Sequence, residues 1–231
     1  MIWVCGVCRA EAPERLVWCP FCTREGSYGP RVMRTAYVGA VRTVSTRALY
    51  GATARSEVPA AWRPLLGAAA GSYVVLVHGV PGSGKSTLAL RAAHEVYESA
   101  VYWSVEEGDG PALVARLRRL ELQSDAVHVV VGGNLPDVHH VVEELRAGAL
   151  FVDSVSAAAV TGQDVSGLSR ALAVPVWALA QATKGGDSYR GPANLAHLAD
   201  VVIRAVAYEG MTWKAVVEKS RFGPTGEVAL G

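Results

Sequence analysis

A glycine-rich segment between two regular elements constrains this chain more than any other feature. Residues 79–86 read Gly-Val-Pro-Gly-Ser-Gly-Lys-Ser and fit the pattern G-x-x-x-x-G-K-[ST]. The apolar run Tyr73–His78 before it predicts a strand, and Lys85–Glu98 after it predicts an amphipathic helix. In that context the glycines let backbone N–H groups turn inward around an anionic phosphate, and the helix N-terminus adds partial positive charge. A chance glycine-rich turn is the alternative, and the flanking strand and helix argue against it.

This loop predicts a site for ATP and Mg²⁺. Lys85 would reach the β- and γ-phosphates, and the Ser86 hydroxyl would hold Mg²⁺. The second part of such a site is a carboxylate at the end of another buried strand. Leu150–Asp153 provides Asp153, which can bind Mg²⁺ through water. The residues predicted to bind ATP are Gly79, Val80, Pro81, Gly82, Ser83, Gly84, Lys85, Ser86 and Thr87.

Hydrolysis would also need a group that orients and deprotonates the attacking water. The predicted strand Val101–Val105 is followed by two adjacent acids, Glu106 and Glu107, which would face the γ-phosphate. We expect Glu106 to be the base and Glu107 to assist it. The alternative is that both are solvated loop acids, since Glu is commonly exposed.

The order of the remaining elements predicts the fold class. From about Tyr73 onward, short β-rich runs alternate with helical segments, which indicates a parallel sheet covered by helices on both faces. Val201–Ala207 and Thr212–Lys219 look like consecutive strands, which adds an antiparallel edge. We therefore predict an α/β phosphate-loop core. Further helices are predicted at 111–121, 137–146 and 166–173, and further strands at 127–131 and 175–180.

Composition excludes some classes of protein. Hydrophobic residues make up 51% of the 231 residues and charged residues 19%, so the chain is not of the disordered class. The net charge of +1 gives no bulk attraction to nucleic acid. No apolar run approaches the length of a membrane span, and the N-terminus lacks the regions of a signal peptide. We predict a cytoplasmic protein, bacterial or phage-encoded in a bacterial cytoplasm.

All four cysteines fall within the first 22 residues, as two Cys-x-x-Cys pairs separated by ten residues. Cys5, Cys8, Cys19 and Cys22 would supply four thiolates in the tetrahedral arrangement that structural Zn²⁺ prefers. Two disulfides or free thiols are the alternative, which a reducing compartment disfavours. The predicted parts are a four-cysteine zinc finger at 1–28, a basic lead-in segment at 29–70 and an ATPase domain at 71–231.

These parts, in this order, resemble the RadA (Sms) family of RecA-like ATPases. Residues 180–192 look like that family's sensor segment and the loop after it, and residues 194–200 look like the stretch that follows. Residues 218–223, Glu-Lys-Ser-Arg-Phe-Gly, closely resemble its signature Lys-Asn-Arg-Phe-Gly, with Ser220 in place of Asn. The resemblance covers nearly all of the chain and implies a RecA-like ATPase that forms a homo-oligomeric ring, such as a hexamer.

The resemblance implies roles for three further residues. In RecA-like rings the nucleotide lies between subunits, so Lys219 and Arg221 would act on the nucleotide of a neighbour as trans-acting cations. The two residues alternate, so on a strand they would project from the same face; a basic strand end is the alternative. Gln181, by similarity, would sense the γ-phosphate and pass its state to the following loop.

Three features depart from the family's pattern. The family carries a Lon-like domain after the signature, whereas this sequence stops at Gly231, so we interpret it as a truncated form. The segment Ser154–Ala173, where RecA-like proteins carry a central DNA-binding loop, looks shorter than usual. Gln181 stands where the family tends to have His.

DNA, single-stranded or branched, is the expected partner, mainly because of the resemblance. Within the loop Lys184–Gly191, Lys184 and Arg190 offer cations for phosphates and Tyr189 offers an aromatic ring for stacking. Arginines on a surface are usually only solvated, and the near-neutral total charge argues against a large footprint.

Two classes of function are open at this point. The leading hypothesis is a DNA-stimulated, RadA-like ATPase of recombination and repair, a motor for branch migration or DNA unwinding. A DnaB-like helicase would share the core, and the cysteine finger favours the RadA-like interpretation. The second hypothesis is an ATP-gated adaptor or regulator, similar to KaiC-like switches, without motor activity.

Overall fold

The computed structural model describes residues 58–183, 189–192, 194–209 and 212–230, together with the backbone of three short strands nearer the N-terminus. The contacts within the chain divide it into two compact units, Met1–Thr53 and Ala54–Gly231. The candidate nucleotide-binding residues all lie in the second unit.

The described part of the first unit is a small antiparallel sheet. Strand β1 (Trp3–Cys5) pairs with both β2 (Glu11–Ala12) and β3 (Tyr28–Pro30). Cys5 ends β1, and only its backbone is described; Cys8, Cys19 and Cys22 lie outside the described residues. The four-cysteine zinc site therefore stays a prediction.

The described residues of the second unit form a nine-stranded sheet. Its strands are β4 (Val74–Gly79), β5 (Ala100–Ser104), β6 (Val127–Val131), β7 (Leu150–Asp153), β8 (Val176–Ala182), β9 (Tyr189–Arg190), β10 (Val201–Glu209), β11 (Thr212–Ser220) and β12 (Gly226–Leu230). Six strands are parallel, in the order β10-β4-β8-β7-β5-β6. Strands β11 and β12 extend the sheet antiparallel beyond β10, and β9 pairs antiparallel with β8. The predicted α/β class with a mostly parallel sheet is confirmed.

Helices cover both faces of this sheet. They are α1 (Arg63–Leu66), α2 (Lys85–Glu95), α3 (Pro111–Arg119), α4 (Leu135–Leu145), α5 (Gly162–Leu172) and α6 (Leu195–Leu198). Buried side chains of α1, α2 and α3 form one core cluster with the sheet, and those of α4, α5 and α6 form a second on the opposite face. Every residue of β4 and β5 is buried, as expected of parallel strands covered on both sides. No helix among the described residues combines the length and the apolar character of a membrane span.

The segment just before β4 packs into the first of these clusters. Trp62 is buried, and its indole N–H donates to Glu95 Oε2 at the end of α2 over 3.0 Å. Gly67 has φ +62°, and a Cβ there would lie 2.3 Å from the carbonyl oxygen of Phe222. Because the backbones approach so closely, only glycine fits at this position.

The topology creates a crevice at the carboxyl ends of the parallel strands. The chain leaves β4 towards α2 on one face of the sheet. It leaves the adjacent β8, and β7 beyond it, towards α6 and α5 on the other face. Loops that diverge in this way open a space beyond the carboxyl ends of parallel strands, which is where ligands bind in open α/β sheets.

Candidate nucleotide-binding site

The glycine-rich loop lies between β4 and α2, as the sequence predicts. Gly82 and Gly84 have φ angles of +81° and +86°, in the left-handed region that favours glycine. At Gly79 a Cβ would lie 2.5 Å from the Ala205 carbonyl oxygen and 2.6 Å from Ser83 Oγ. The spacing of glycines in the motif therefore has a steric cause in this chain.

The loop and the start of α2 carry polar groups that are suited to an anion. No side chain caps the N-terminus of α2, whose N-cap is Gly84. Ser83 Oγ is buried and has no hydrogen-bond partner among the described residues. Lys85 Nζ donates a hydrogen bond of 2.9 Å to the Val80 carbonyl oxygen of the same loop. An uncapped helix N-terminus with an adjacent ammonium group fits an anionic phosphate.

A cavity of about 410 Å³ opens in front of this loop. It gathers side chains from the ends of β4, β5, β7 and β8 and from α3. The residues that line it are Pro81, Gly82, Gly84, Lys85, Ser86, Thr87, Glu106, Glu107, Arg116, Arg119, Asp153, Ser154, Leu179, Ala180 and Gln181. The structure thus brings together both acids, Asp153, Gln181 and six of the nine predicted ATP-binding residues; Gly79, Val80 and Ser83 do not line the cavity. Burial lowers the pKa of Lys85, and the negative charges of Asp153 and Glu106 oppose that shift.

Asp153 ends β7 beside the first turn of α2. Its Oδ2 accepts a hydrogen bond of 2.5 Å from the Tyr102 hydroxyl, and the Ser86 hydroxyl lies close enough to the carboxylate to lower its pKa. Among the described residues no three His, Cys, Asp or Glu side chains cluster as a metal site. One carboxylate and one hydroxyl next to a phosphate site are nonetheless a fit for Mg²⁺, which usually binds one or two carboxylates together with substrate phosphates.

Burial makes Asp153 a source of instability in the ligand-free chain. It raises the pKa of Asp153, with Glu107 and Glu106 adding to the shift and Tyr102 and Ser86 opposing it. A carboxyl whose pKa is raised on folding contributes stability below its unfolded pKa and loses it as pH rises through the folded pKa. At neutral pH the ionised group therefore costs folding free energy, and the nearby Lys85 ammonium offsets only part of that cost.

We expect Asp153→Asn to stabilise the ligand-free protein by about 1 kcal/mol at neutral pH and to raise Tm by roughly 2–4 °C. The amide oxygen can still accept from Tyr102 and Ser86, while the buried charge is removed. Thermal unfolding without nucleotide or metal measures the effect, and the exposed Asp109→Asn is the matched control. The gain should shrink as pH falls and the native carboxyl becomes protonated. A variant that is less stable than the native chain at pH 7 would contradict this account.

The two acids after β5 have different surroundings. Glu106 accepts hydrogen bonds from Gln181 Nε2 over 2.9 Å and from the Ser154 hydroxyl over 3.1 Å. Glu107 binds the guanidinium of Arg116 through both oxygens, over 2.7 and 2.8 Å. Both line the cavity, so neither is an isolated loop acid.

Gln181 connects the cavity to strand β9. Its backbone pairs with Arg190, and Ala182 pairs with Tyr189. Of the DNA-binding candidates, Arg190 is exposed, whereas Tyr189 is half-buried and its hydroxyl donates to the Pro192 carbonyl oxygen over 2.8 Å. Lys184 lies outside the described residues. The residue predicted to sense the γ-phosphate, Gln181, is thus paired directly with a residue of the predicted DNA-binding loop, Arg190.

Lys219 and Arg221 lie near the amino ends of the parallel strands, whereas the phosphate loop lies at their carboxyl ends. Ser220 pairs with Val201 at the start of β10, and Val201 pairs with Val75 near the start of β4. Lys219 Nζ donates to three carbonyl oxygens at the end of α6, those of Ala196 at 3.0 Å, His197 at 2.9 Å and Ala199 at 2.6 Å. Arg221 Nη1 lies 3.0 Å from Asp200 Oδ1, with its side chain 58% exposed. Neither cation meets the cavity within one chain, and their proposed action on a neighbour stays a prediction.

Three polar residues that line the cavity escaped the sequence-based predictions: Arg116, Arg119 and Ser154. The same is true of Tyr102, which is buried behind the cavity and donates to Asp153. Arg116 and Arg119 are three residues apart on α3, a spacing that places them on one helix face and was a usable signal. Tyr102 and Ser154 carry no comparable pattern, since their roles depend on which strands become neighbours.

The fold and the cavity together define a class of protein. A mostly parallel sheet between helices, with a strand, a glycine-rich loop and a helix at its carboxyl edge, is the arrangement of phosphate-loop α/β proteins and is consistent with a RecA-like core.

Comparison with known proteins gives a more particular result. No family model matches the chain. It is 26% identical to the DNA repair protein RadA of Chlamydia pneumoniae and 25% identical to that of Bacillus subtilis, over 99% of this chain and 56% and 57% of those proteins. It is 30% identical to the DNA repair protein RadA of Mycobacterium tuberculosis, over 97% of this chain and 53% of that protein. The resemblance to the RadA family is confirmed, and the chain spans about half the length of the curated relatives it matches.

Proposed function

We propose that this chain binds and hydrolyses ATP as a RadA-like protein of DNA repair and recombination. The observation that carries the proposal is the convergence of Lys85, Ser86, Asp153, Glu106 and Gln181 on one cavity. These side chains come from four separate strand ends, so their meeting is not a consequence of sequence proximity. The similarity to proteins named for DNA repair supports the wider process.

The loop and α2 would bind the triphosphate. The backbone N–H groups at the uncapped start of α2 would donate to phosphate oxygens, and Lys85 would exchange its Val80 contact for the β- and γ-phosphates. Mg²⁺, held by Ser86 and through water by Asp153, would neutralise charge on the phosphates. The volume of about 410 Å³ lies within the range of small-molecule sites.

Glu106 would orient the attacking water and accept its proton. Its two hydrogen bonds come from neutral donors, Gln181 and Ser154, which fix the carboxylate without neutralising its charge. When the γ-phosphate leaves, a change at Gln181 would reach Arg190 through the β8–β9 pairing. That gives a physical route by which hydrolysis could alter a DNA-binding loop.

Hydrolysis would depend on assembly into a homo-oligomer. The cations Lys219 and Arg221 at the end of β11 lie at the opposite ends of the strands from their own phosphate loop, so only another subunit could present them to a bound nucleotide. A ring of subunits arranged head to tail provides such heterologous interfaces. In that ring DNA would contact the loop that follows β8.

The direct test is ATP hydrolysis with and without single-stranded DNA. We expect measurable turnover that single-stranded DNA stimulates, and we expect Lys85→Ala to lower kcat/KM by at least about 100-fold, since it removes a charge that stabilises the transferring phosphoryl group. The exposed Lys214→Ala is the control of the same residue type. A native chain that hydrolyses ATP but neither binds nor responds to DNA would contradict the motor and favour the ATP-gated adaptor. A native chain that binds no ATP would contradict both.

A further inference from the structure

Arg116 contributes a feature to the cavity that the proposed roles above do not use. It lies near the end of α3, and its side chain is only 18% exposed although it carries a full charge. Its two terminal nitrogens donate to the two oxygens of Glu107 over 2.7 and 2.8 Å. A two-pronged guanidinium–carboxylate contact of this kind is among the stronger and more directional polar contacts in proteins.

The contact removes Glu107 from competition with its neighbour. The guanidinium holds both Glu107 oxygens against α3 and pairs with their negative charge. Among the described residues, the hydrogen bonds that Glu106 accepts come from neutral donors, Gln181 and Ser154. The hydrogen bond with Glu107 raises the pKa of Arg116, while burial opposes that shift, so the guanidinium stays charged.

Without Arg116 the second acid would be harmful to the site. Glu107 would be a free carboxylate at the rim of a cavity that already contains Glu106 and Asp153. A third uncompensated negative charge near a triphosphate weakens binding by like-charge repulsion. It would also offer the attacking water an alternative and misplaced acceptor.

We propose that Arg116 is a positioning residue that holds Glu107 by both oxygens and thereby reserves Glu106 as the water-orienting acid. This inference rests on the proposed ATPase function and assigns different roles to Glu106 and Glu107. It assigns Glu107 the role of a partner of Arg116 rather than of an assisting base. Arg116 itself need not touch the nucleotide.

A double-mutant cycle tests the inference. We expect Arg116→Ala to raise KM for ATP and lower kcat, with kcat/KM reduced about tenfold. Glu107→Gln alone should lower kcat/KM less than Arg116→Ala does, because Glu106 is intact and no unpaired carboxylate is created. In the double variant, with no unpaired carboxylate left, kcat/KM should return to within about threefold of the native value. Arg118→Ala, on an exposed side chain of the same helix, is the matched control.

Each alternative has its own signature. If the double variant is as impaired as Arg116→Ala, Arg116 acts on the nucleotide directly and the inference is wrong. If Glu107→Gln alone abolishes turnover, Glu107 is the base and the inference is equally wrong. Thermal unfolding of all variants shows whether a loss reflects misfolding, which the recovery in the double variant would also exclude. A native chain that neither binds nor hydrolyses ATP overturns the proposed function itself, a result distinct from the two above.

Discussion

Glu106→Gln should lower kcat for ATP hydrolysis by about 100-fold to 10,000-fold while leaving the affinity for ATP nearly unchanged. The amide keeps the size of the side chain and can still accept from Ser154, but it cannot take a proton from water. Because the phosphate loop and Asp153 are untouched, binding should persist. Single-turnover hydrolysis and equilibrium binding of a fluorescent ATP analogue separate the two quantities.

The matched control for this prediction is Glu98→Gln. Glu98 is exposed and lies before β5, at the opposite edge of the sheet from the cavity, so the same chemical change there should leave kcat unaltered. If Glu106→Gln instead weakens ATP binding and leaves kcat intact, Glu106 serves binding and not water activation. Gln181→Ala should cause a smaller loss, since it removes one of the two donors that fix Glu106.

The parallel part of the fold was readable from the sequence because of how such strands are buried. Strands covered on both faces are continuous apolar runs, and the predicted bounds of β7 match those observed. The predicted bounds of β6 also match, although β6 is a partly exposed edge strand. Helix α5 begins at Gly162, four residues before the predicted start. Thr161 and Asp164 form a reciprocal capping box there. The low helix propensity of the glycines at 162 and 167 makes this first turn look non-helical in the sequence.

Other elements depend on distant partners. Strands β9 and β12 were not predicted, because β9 has two residues and β12 is a mostly exposed edge strand defined by its pairing with β11. At the site, the phosphate loop, Asp153 and the acid pair could be found from their own sequence context. The different environments of the two acids could not, because the donor to Glu106 lies 75 residues away in the chain.

Mixing two inactive variants should restore hydrolysis if the site is shared between subunits. We expect Arg221→Ala and Glu106→Gln each to be nearly inactive alone. In a randomly mixed ring about one quarter of the interfaces combine an intact Glu106 with an intact Arg221 from the neighbour, so a 1:1 mixture should recover about a quarter of the native rate. Steady-state hydrolysis after co-refolding or subunit exchange measures this recovery.

The distance between Arg221 and the phosphate loop of its own chain requires that any Arg221 acting on the nucleotide come from a neighbouring subunit. β4 has six residues, so roughly 17–20 Å of strand separate the amino edge, where β11 ends, from the phosphate loop. Arg221 therefore cannot reach its own loop, and its exposed side chain is available to another chain. Lys219 is a poorer choice for the experiment, because its ammonium group satisfies three carbonyl oxygens at the end of α6 and its removal would also destabilise the fold.

A second mixture provides the control. Lys85→Ala and Glu106→Gln both damage the half of the site that one chain supplies, so no arrangement of these subunits creates an intact interface, and their mixture should stay inactive. Recovery in the first mixture but not in the second would locate the cation and the water-orienting acid on different subunits. Equal recovery in both would point to contaminating activity, and full activity of Arg221→Ala alone would show that the cation at the end of β11 has no part in hydrolysis.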